Sequence, residues 1–288
     1  MNSNNDKKES KDKQEDIIRQ EQKLQLNWHI FTMATTYFIS WFFPGVLFFS
    51  YIFFMFKPYF LDTRNFINLF MDLRAFLSLA LFPLIIILSY ILHLIWAAII
   101  VRFWWRYTQK KSPTKDGIIP RNIRSNTSKF YQIRSFLLKY PKNAVTKGIF
   151  PWLYRWMINF IGSAKIGKAS VIEEEVCGDK FFEVGENCYV GPNSSLASHL
   201  VEGIFGNIYY FKVKLGDNVT LPCDNHLGPG SDFKDNTIIF PMGSSVKFTV
   251  TKGNNFYFGM PIRKIFTKKI KNFLHLSDEQ LKIIKDLE

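Results

Sequence analysis

The sequence predicts two membrane-spanning α-helices, then an all-β domain of stacked triangular coils, then a C-terminal helix. Three observations predict it: two long runs without charged residues, an aliphatic residue every six positions after Lys165, and a Ser277/Gln280 pair spaced as a helix start. The chain has 288 residues, 47% of them hydrophobic, with a formal charge of +13. That composition excludes a disordered chain. Only three cysteines argue against a disulfide-built secreted fold and suggest free thiols in a reducing compartment. The mean hydropathy of -0.03 averages a very apolar third with a polar remainder, so the segments are read separately.

Residues 1–26 mix both charge signs with few large apolar groups and read as a mobile polar tail. Residues 27–107 form the transmembrane hairpin. Trp28 to Phe56 and Ala75 to Val101 contain no Asp, Glu, Lys or Arg, and each run exceeds the roughly 20 residues that cross a bilayer core. Pro44-Gly45 and Pro83 are tolerable if neighbouring groups satisfy the freed carbonyls. His93 in the second run reads as a polar contact to another helix, as does His29 at the edge of the first. Lys and Arg crowd the tail and the segment from Arg102 to Arg121, while the connection carries only Lys57, Arg64 and Arg74. Both termini are therefore expected in the cytosol. The positive charge lies beside the apolar runs and in no nucleic-acid motif, so anionic lipid is the expected partner and nucleic acid is not.

Residues 108–163 alternate bases with aromatics, among them Phe130, Tyr131, Phe136, Trp152, Tyr154 and Trp156. Two compatible readings stand: a layer at the membrane interface, and an amphipathic adaptor packed on the next domain.

In residues 164–263 aliphatic or aromatic groups recur at Ile166, Ile172, Val184, Val190 and Leu196, then at Leu215, Leu221, Leu227, Phe233 and Ile239, with Gly178 standing in one such position. Gly follows in five hexads, and small or β-branched residues such as Ser170, Val176, Cys188, Ser194, Val219, Ser231 and Thr237 lie four positions on. A period of six suits neither a globular helix nor a flat strand. It suits a prism in which each hexad gives one short parallel strand and a corner, with the aliphatic group inward and Gly easing the turn. Successive coils of about 18 residues then pair strands about 4.8 Å apart and stack a continuous core.

These motifs, Ile166-Gly167, Val184-Gly185-Glu186-Asn187, Val190-Gly191-Pro192-Asn193, Leu215-Gly216-Asp217-Asn218 and Gly228-Pro229-Gly230, with the closing Tyr257-Phe258-Gly259-Met260-Pro261, resemble those of the hexapeptide-repeat acyltransferases. The arrangement with preceding membrane helices also resembles the C-terminal hexapeptide domain of polylysine-synthetase-like membrane proteins. The resemblance covers about a third of the chain. It implies a left-handed parallel β-helix, commonly trimeric, that transfers an acyl group, usually acetyl, from coenzyme A to a hydroxyl or amine. Departures are Pro222, Lys234 and Phe240 where Gly is usual.

The two repeat blocks are out of phase, so something leaves the coil between Leu196 and Leu215. The excursion, Ser198 to about Lys212, reads as a projecting loop. By resemblance, His199 at its start is the general base, with Glu202 a candidate to orient the ring. A solvent-exposed histidine without a task is the competing reading. Asn193 and His226 are candidates for acceptor binding, His226 equally a plain corner residue. By resemblance, Gly228, Gly230, Gly259 and Pro261 allow close approach of acetyl-CoA or another acyl-CoA, and Arg263 and Lys264 meet its phosphates. Cys177, Cys188 and Cys223 lack zinc spacing, and only two histidines lie in the repeat, so no metal is expected. Residues 264–288 form the helical tail, opened by a Ser277/Gln280 capping box. The expected function is a membrane-anchored acyltransferase. The alternatives are an inactive β-helix scaffold and, less favoured, a metal-dependent lyase.

Overall fold

The structure, a computed structural model, describes residues 26–62, 66–121, 123, 125–173, 180–202, 206–265, 270–271 and 275–280. The expected tail at 1–25, and Val176, Cys177 and Gly178, lie outside them. By contacts, Leu26–Trp104 forms one unit and the residues from Trp105 onward belong to another.

In the first unit, helix α1 (Leu26–Tyr51) continues as a π-helical stretch (Ile52–Leu61), followed by α2 (Phe66–Met71) and α3 (Leu73–Lys111), which runs on into the second unit. The segments Leu26–Leu61 and Leu73–Lys111 are long and apolar enough to cross a membrane. Small and polar residues, Thr36, Ser40, Ser78, Ala97 and Ala98, are buried, while large groups such as Phe38 and Phe54 face outward. Small side chains at the seam let the backbones approach closely. Aromatic pairs fill the seam, Phe43 stacking on Trp96 at 4.1 Å and Trp41 on His93 at 3.9 Å. Pro44 has no N–H to give the Ser40 carbonyl four residues earlier. His93 Nδ1 lies 3.1 Å from that oxygen and takes the missing donor's place.

The second unit begins with strand β1 (Gly117–Pro120) and three helices, α4 (Asn126–Leu137), α5 (Lys139–Thr146) and α6 (Tyr154–Ile161). Ser125 caps α4 by accepting from the Ser128 N–H at 3.0 Å. The aromatics of this segment divide: Tyr131 and Tyr154 are buried in the unit, and Trp152 and Trp156 stay exposed.

From Lys165 the chain winds over three faces. The first carries β2 (Lys165–Ile166), β4 (Phe182–Val184), β9 (Val213–Leu215) and β12 (Asp232–Phe233). The second carries β3 (Val171–Ile172), β5 (Tyr189–Val190), β10 (Thr220–Leu221), β13 (Thr237–Ile239) and β14 (Asn255–Phe258). The third carries β6 (Ser195–Leu196), β11 (His226–Leu227) and a bridge at Ser244. Pairing is parallel within each face, and partners such as Ile166↔Val184 and Ile239↔Tyr257 are one coil apart in sequence. The inward residues Val190, Leu196, Leu221, Leu227, Phe233 and Ile239 are at most 1% exposed. Ser194, Val219, Ser231 and Thr237 share that interior.

The glycines act differently from the expectation. Gly191 and Gly216 do not carry the corner conformation; a Cβ on either would run into the next coil, at the Pro222 carbonyl and at Asp235 respectively. The left-handed corner falls two residues after the glycine, for Gly191 at Asn193; along the edge that holds Gly216 it falls on Asn187, Asn218, Asn236 and Asn254, at φ between 53° and 56°. Asn tolerates that region because its short amide bonds locally. These four stack as a ladder, each amide donating to the next residue's Oδ1: Asn187 to Asn218 at 2.8 Å, Asn218 to Asn236 at 2.9 Å, and Asn236 to Asn254 at 2.6 Å. Asn218→Ala removes two of these bonds and places a Cβ residue without the amide in the left-handed region. It should cost about 1–3 kcal/mol in thermal or denaturant unfolding, with Asn218→Gly recovering the backbone share.

Both ends of the coil are covered. On α6, Asn159 imitates a neighbouring strand: its Nδ2 donates to the Ile166 carbonyl and its Oδ1 accepts from the Ile166 N–H, both at 2.9 Å. At the far end β15 (Arg263–Lys264) folds back antiparallel on β14. In the tail, Ser277 Oγ accepts from Gln280 N and Gln280 Oε1 accepts from Ser277 N, the reciprocal bonds expected of the capping box.

Candidate functional site

The excursion is a hairpin rather than the expected loop. Where other coils repeat every 18 positions, Val184 pairs with Leu215 and Leu196 with Leu227, each 31 apart. The extra residues form β7 (His199–Glu202) and β8 (Asn207–Tyr210), paired antiparallel from His199↔Tyr210 to Glu202↔Asn207. β1 joins the other side of β8, making a three-stranded antiparallel sheet. His199 is therefore the first residue of a strand. Alternation in Asn207-Ile208-Tyr209-Tyr210 explains the order, because Ile208 and Tyr210 are buried while the residues between are half-buried.

His199 is half-buried, and its ring meets Tyr131 edge to face with centroids 5.9 Å apart. Tyr131 also faces Tyr210 at 5.1 Å and lies under the Lys180 ammonium at 4.6 Å. Ile119, Tyr131, Ile208 and Tyr210 form one buried cluster. The preceding residue is tied down as well, Ser198 Oγ donating to the Lys180 carbonyl at 2.9 Å. Helix α4, which supplies Tyr131, is anchored by Arg134. That side chain is 1% exposed, and its guanidinium donates to the Ser112 carbonyl at 2.7 Å, just past the end of α3. Burial lowers the Arg134 pKa from its usual value.

The structure does not bring Glu202 to His199. Three positions along a strand place the two on opposite faces. Glu202 instead pairs with Lys247, whose ammonium lies 3.9 Å from the Tyr209 ring centroid.

His226, exposed on β11, faces Ser195 on the adjacent β6, with Nδ1 and Oγ 2.9 Å apart. Ser195 was not singled out from the sequence, since serine in a hexad reads as a filler. Asn193 occupies the corner before Ser195 in the left-handed conformation. His226 bridges to Ser244, whose N–H donates to the Gly259 carbonyl at 3.0 Å and whose carbonyl accepts from Ile262 N at 3.0 Å. The exit segment with Gly259 and Pro261 thus runs beside His226, and Arg263 and Lys264 follow it exposed. Gly228 follows β11, and Gly230, at φ 74°, approaches Phe248 and Phe211 near the hairpin's return. The candidate residues therefore fall in two groups, at the start and at the end of the third face. Cys188 is buried, which pushes its thiol pKa up and suits a packing role.

No family model and no curated protein matches the chain. Among solved structures it is similar to a maltose O-acetyltransferase from Clostridium difficile, with 16% identity over 58% of this chain and 86% of that one, at a TM-score of 0.34. A hexapeptide-repeat acetyltransferase from Vibrio cholerae, complexed with acetyl coenzyme A, gives 17% identity over 37% of this chain and 61% of that one, at 0.28. A serine acetyltransferase from Neisseria gonorrhoeae, in complex with serine, gives 13% identity over 61% and 56%, at 0.26. The winding described above rests on its own pairing register.

The first face carries a column of alternating charge, Lys165, Glu183, Lys214 and Asp232 on successive rungs. The Lys212 ammonium bonds Glu183 at 2.8 Å and, with Lys165 and Lys214, holds its carboxyl below the usual carboxylate range. A depressed carboxylate stabilises the fold above its unfolded pKa, and that contribution is lost as pH falls through the folded value. Melting temperature should therefore decline as pH drops below about 4.3, and Lys212→Met should flatten that part of the profile.

Proposed function

We propose that this chain is a membrane-anchored acyltransferase that moves an acyl group, acetyl in the simplest case, from a coenzyme A thioester to a hydroxyl or amine on a membrane-associated acceptor. The observation that carries the reading is the excursion from the repeating coil, which begins at His199 and interrupts a hexad pattern resembling that of the hexapeptide acyltransferases. In this reading the coil is left-handed and the working form a homotrimer. The two apolar helices span the membrane with both termini cytosolic, as the Lys and Arg distribution favours.

Neutral His199 takes the acceptor's proton as its oxygen or nitrogen attacks the thioester carbonyl. The C–O or C–N bond forms, the C–S bond breaks, and the imidazolium returns the proton to the departing sulfur. Tyr131, rather than Glu202, holds the ring. Asn193 and His226 receive the acceptor, and Gly228, Gly230, Gly259, Pro261, Arg263 and Lys264 receive the coenzyme.

A second reading, a scaffold without activity, is favoured by the ion pair that occupies Glu202. The experiment is acetyl coenzyme A binding and thioester cleavage by the purified full-length protein with pooled hydroxyl and amine acceptors. Turnover that depends on His199 supports the enzyme; no binding at millimolar donor supports the scaffold.

A further inference from the structure

A cavity of about 340 Å³ lies between the last turns of α3, the segment after α6 and the first face of the coil, and the reaction above makes no use of it. That volume is at the small end of ligand pockets, roughly 300–1,000 Å³. Its polar lining is mostly self-satisfied. Gln109 bonds Thr114 twice, and Asn159 bonds Ile166 twice.

Ser163 is the exception. It lines the cavity at 5% exposure, and its Oγ has no hydrogen-bond partner. A buried hydroxyl left in that state costs about 1–3 kcal/mol, so a ligand atom that bonded it would recover this. Two cations in the lining, Lys212 at 2.8 Å and Lys165 at 3.9 Å, share one oxygen of a single carboxylate, Glu183. The lining therefore carries one excess positive charge. Asp116 stands outside it and accepts from the Lys212 backbone N–H. Lys165 keeps most of its side chain exposed and is free to turn toward an anion. Trp105 and Phe181 supply apolar wall, and Trp105 belongs to a helix apolar enough to cross a bilayer.

We propose that this cavity binds the acidic headgroup of a single-chain lipid. A phosphate oxygen accepts from Ser163 Oγ–H and from the Lys165 ammonium, and the first methylenes of the chain lie along Trp105 and Phe181. One negative charge on the headgroup balances the lining.

The test uses full-length protein in phosphatidylcholine nanodiscs, titrated with lysophosphatidylglycerol and, separately, with inorganic phosphate. Native mass spectrometry counts bound molecules. Saturable binding of one lipid is expected, weakened about 10-fold by Ser163→Ala and by Lys165→Gln, with phosphate much weaker. Ser163→Ala should leave the melting temperature of the empty protein unchanged or slightly raised, since the hydroxyl bonds nothing there. Equal lipid affinity in wild type and both variants overturns the site. Phosphate binding as tight as the lipid's overturns the lipid assignment, and a lowered melting temperature in Ser163→Ala overturns the unpartnered hydroxyl. Binding is read without turnover, so the result stands apart from the acyltransferase reading.

Discussion

His199→Ala should reduce acyl transfer by about 10²–10⁴-fold, the usual worth of a positioned acid–base group, with the donor's KM little changed. Steady-state rates with saturating acetyl coenzyme A check it. Folding should be little affected, within roughly 0.5 kcal/mol, because the ring is half-buried at the start of an edge strand. Glu202→Gln is the paired control. It breaks the ion pair to Lys247 on the strand's other face, so kcat should stay within a few-fold of wild type. If both variants lost activity equally, the carboxylate would be acting on the imidazole after all, through a rearranged hairpin. If neither did, the proton would leave by another group, and His226 with Ser195 would be the first place to look.

Phe233→Ala should be among the most destabilising single truncations in the coil, at about 3–5 kcal/mol. Phe233 is fully buried and points into the interior, stacked on Leu215 and followed by Thr251 one coil later. The cavity it leaves cannot be filled from a small threonine. Each coil is stabilised chiefly by its neighbours, so the damage should appear as release of the last coils rather than uniform softening. Limited proteolysis should cut first after residue 233 in the variant, while unfolding of the earlier coils stays close to wild type. Uniform loss of protection along the whole coil would contradict nearest-neighbour stacking.

Much of the architecture could be read from residue spacing alone. The hexads from Ile166 to Ile239 specify which residues point inward, the phase break after Leu196 locates the excursion, and Ser277 with Gln280 marks a helix start. The need for a group to serve the carbonyl freed by Pro44 was also legible, and His93 serves it. The glycines were legible as necessary but not for the right cause: spacing cannot tell a tight turn from a close approach between coils. The excursion's form was hidden because its third strand, Gly117-Ile118-Ile119-Pro120, lies 87 to 93 positions before its partners in sequence. The basic and aromatic run after Arg102 fitted an interface and an adaptor equally, and only packing sends Tyr131 inward while Trp152 stays out. The pairing of Ser195 with His226 depends on which coils stack, and a list of hexads carries no side-chain partners.

That remote third strand bears on how the protein is made. Ile119 leaves the ribosome 89 residues ahead of Ile208, with which it pairs, a wait of roughly 5–20 seconds at ordinary translation speeds. During that interval a short apolar strand has an open edge on a half-synthesised chain. Its brevity and the terminal Pro120, which has no N–H to offer, limit what it can stick to meanwhile. The nascent chain should therefore engage holding chaperones most strongly before the hairpin emerges and release them once β8 is available.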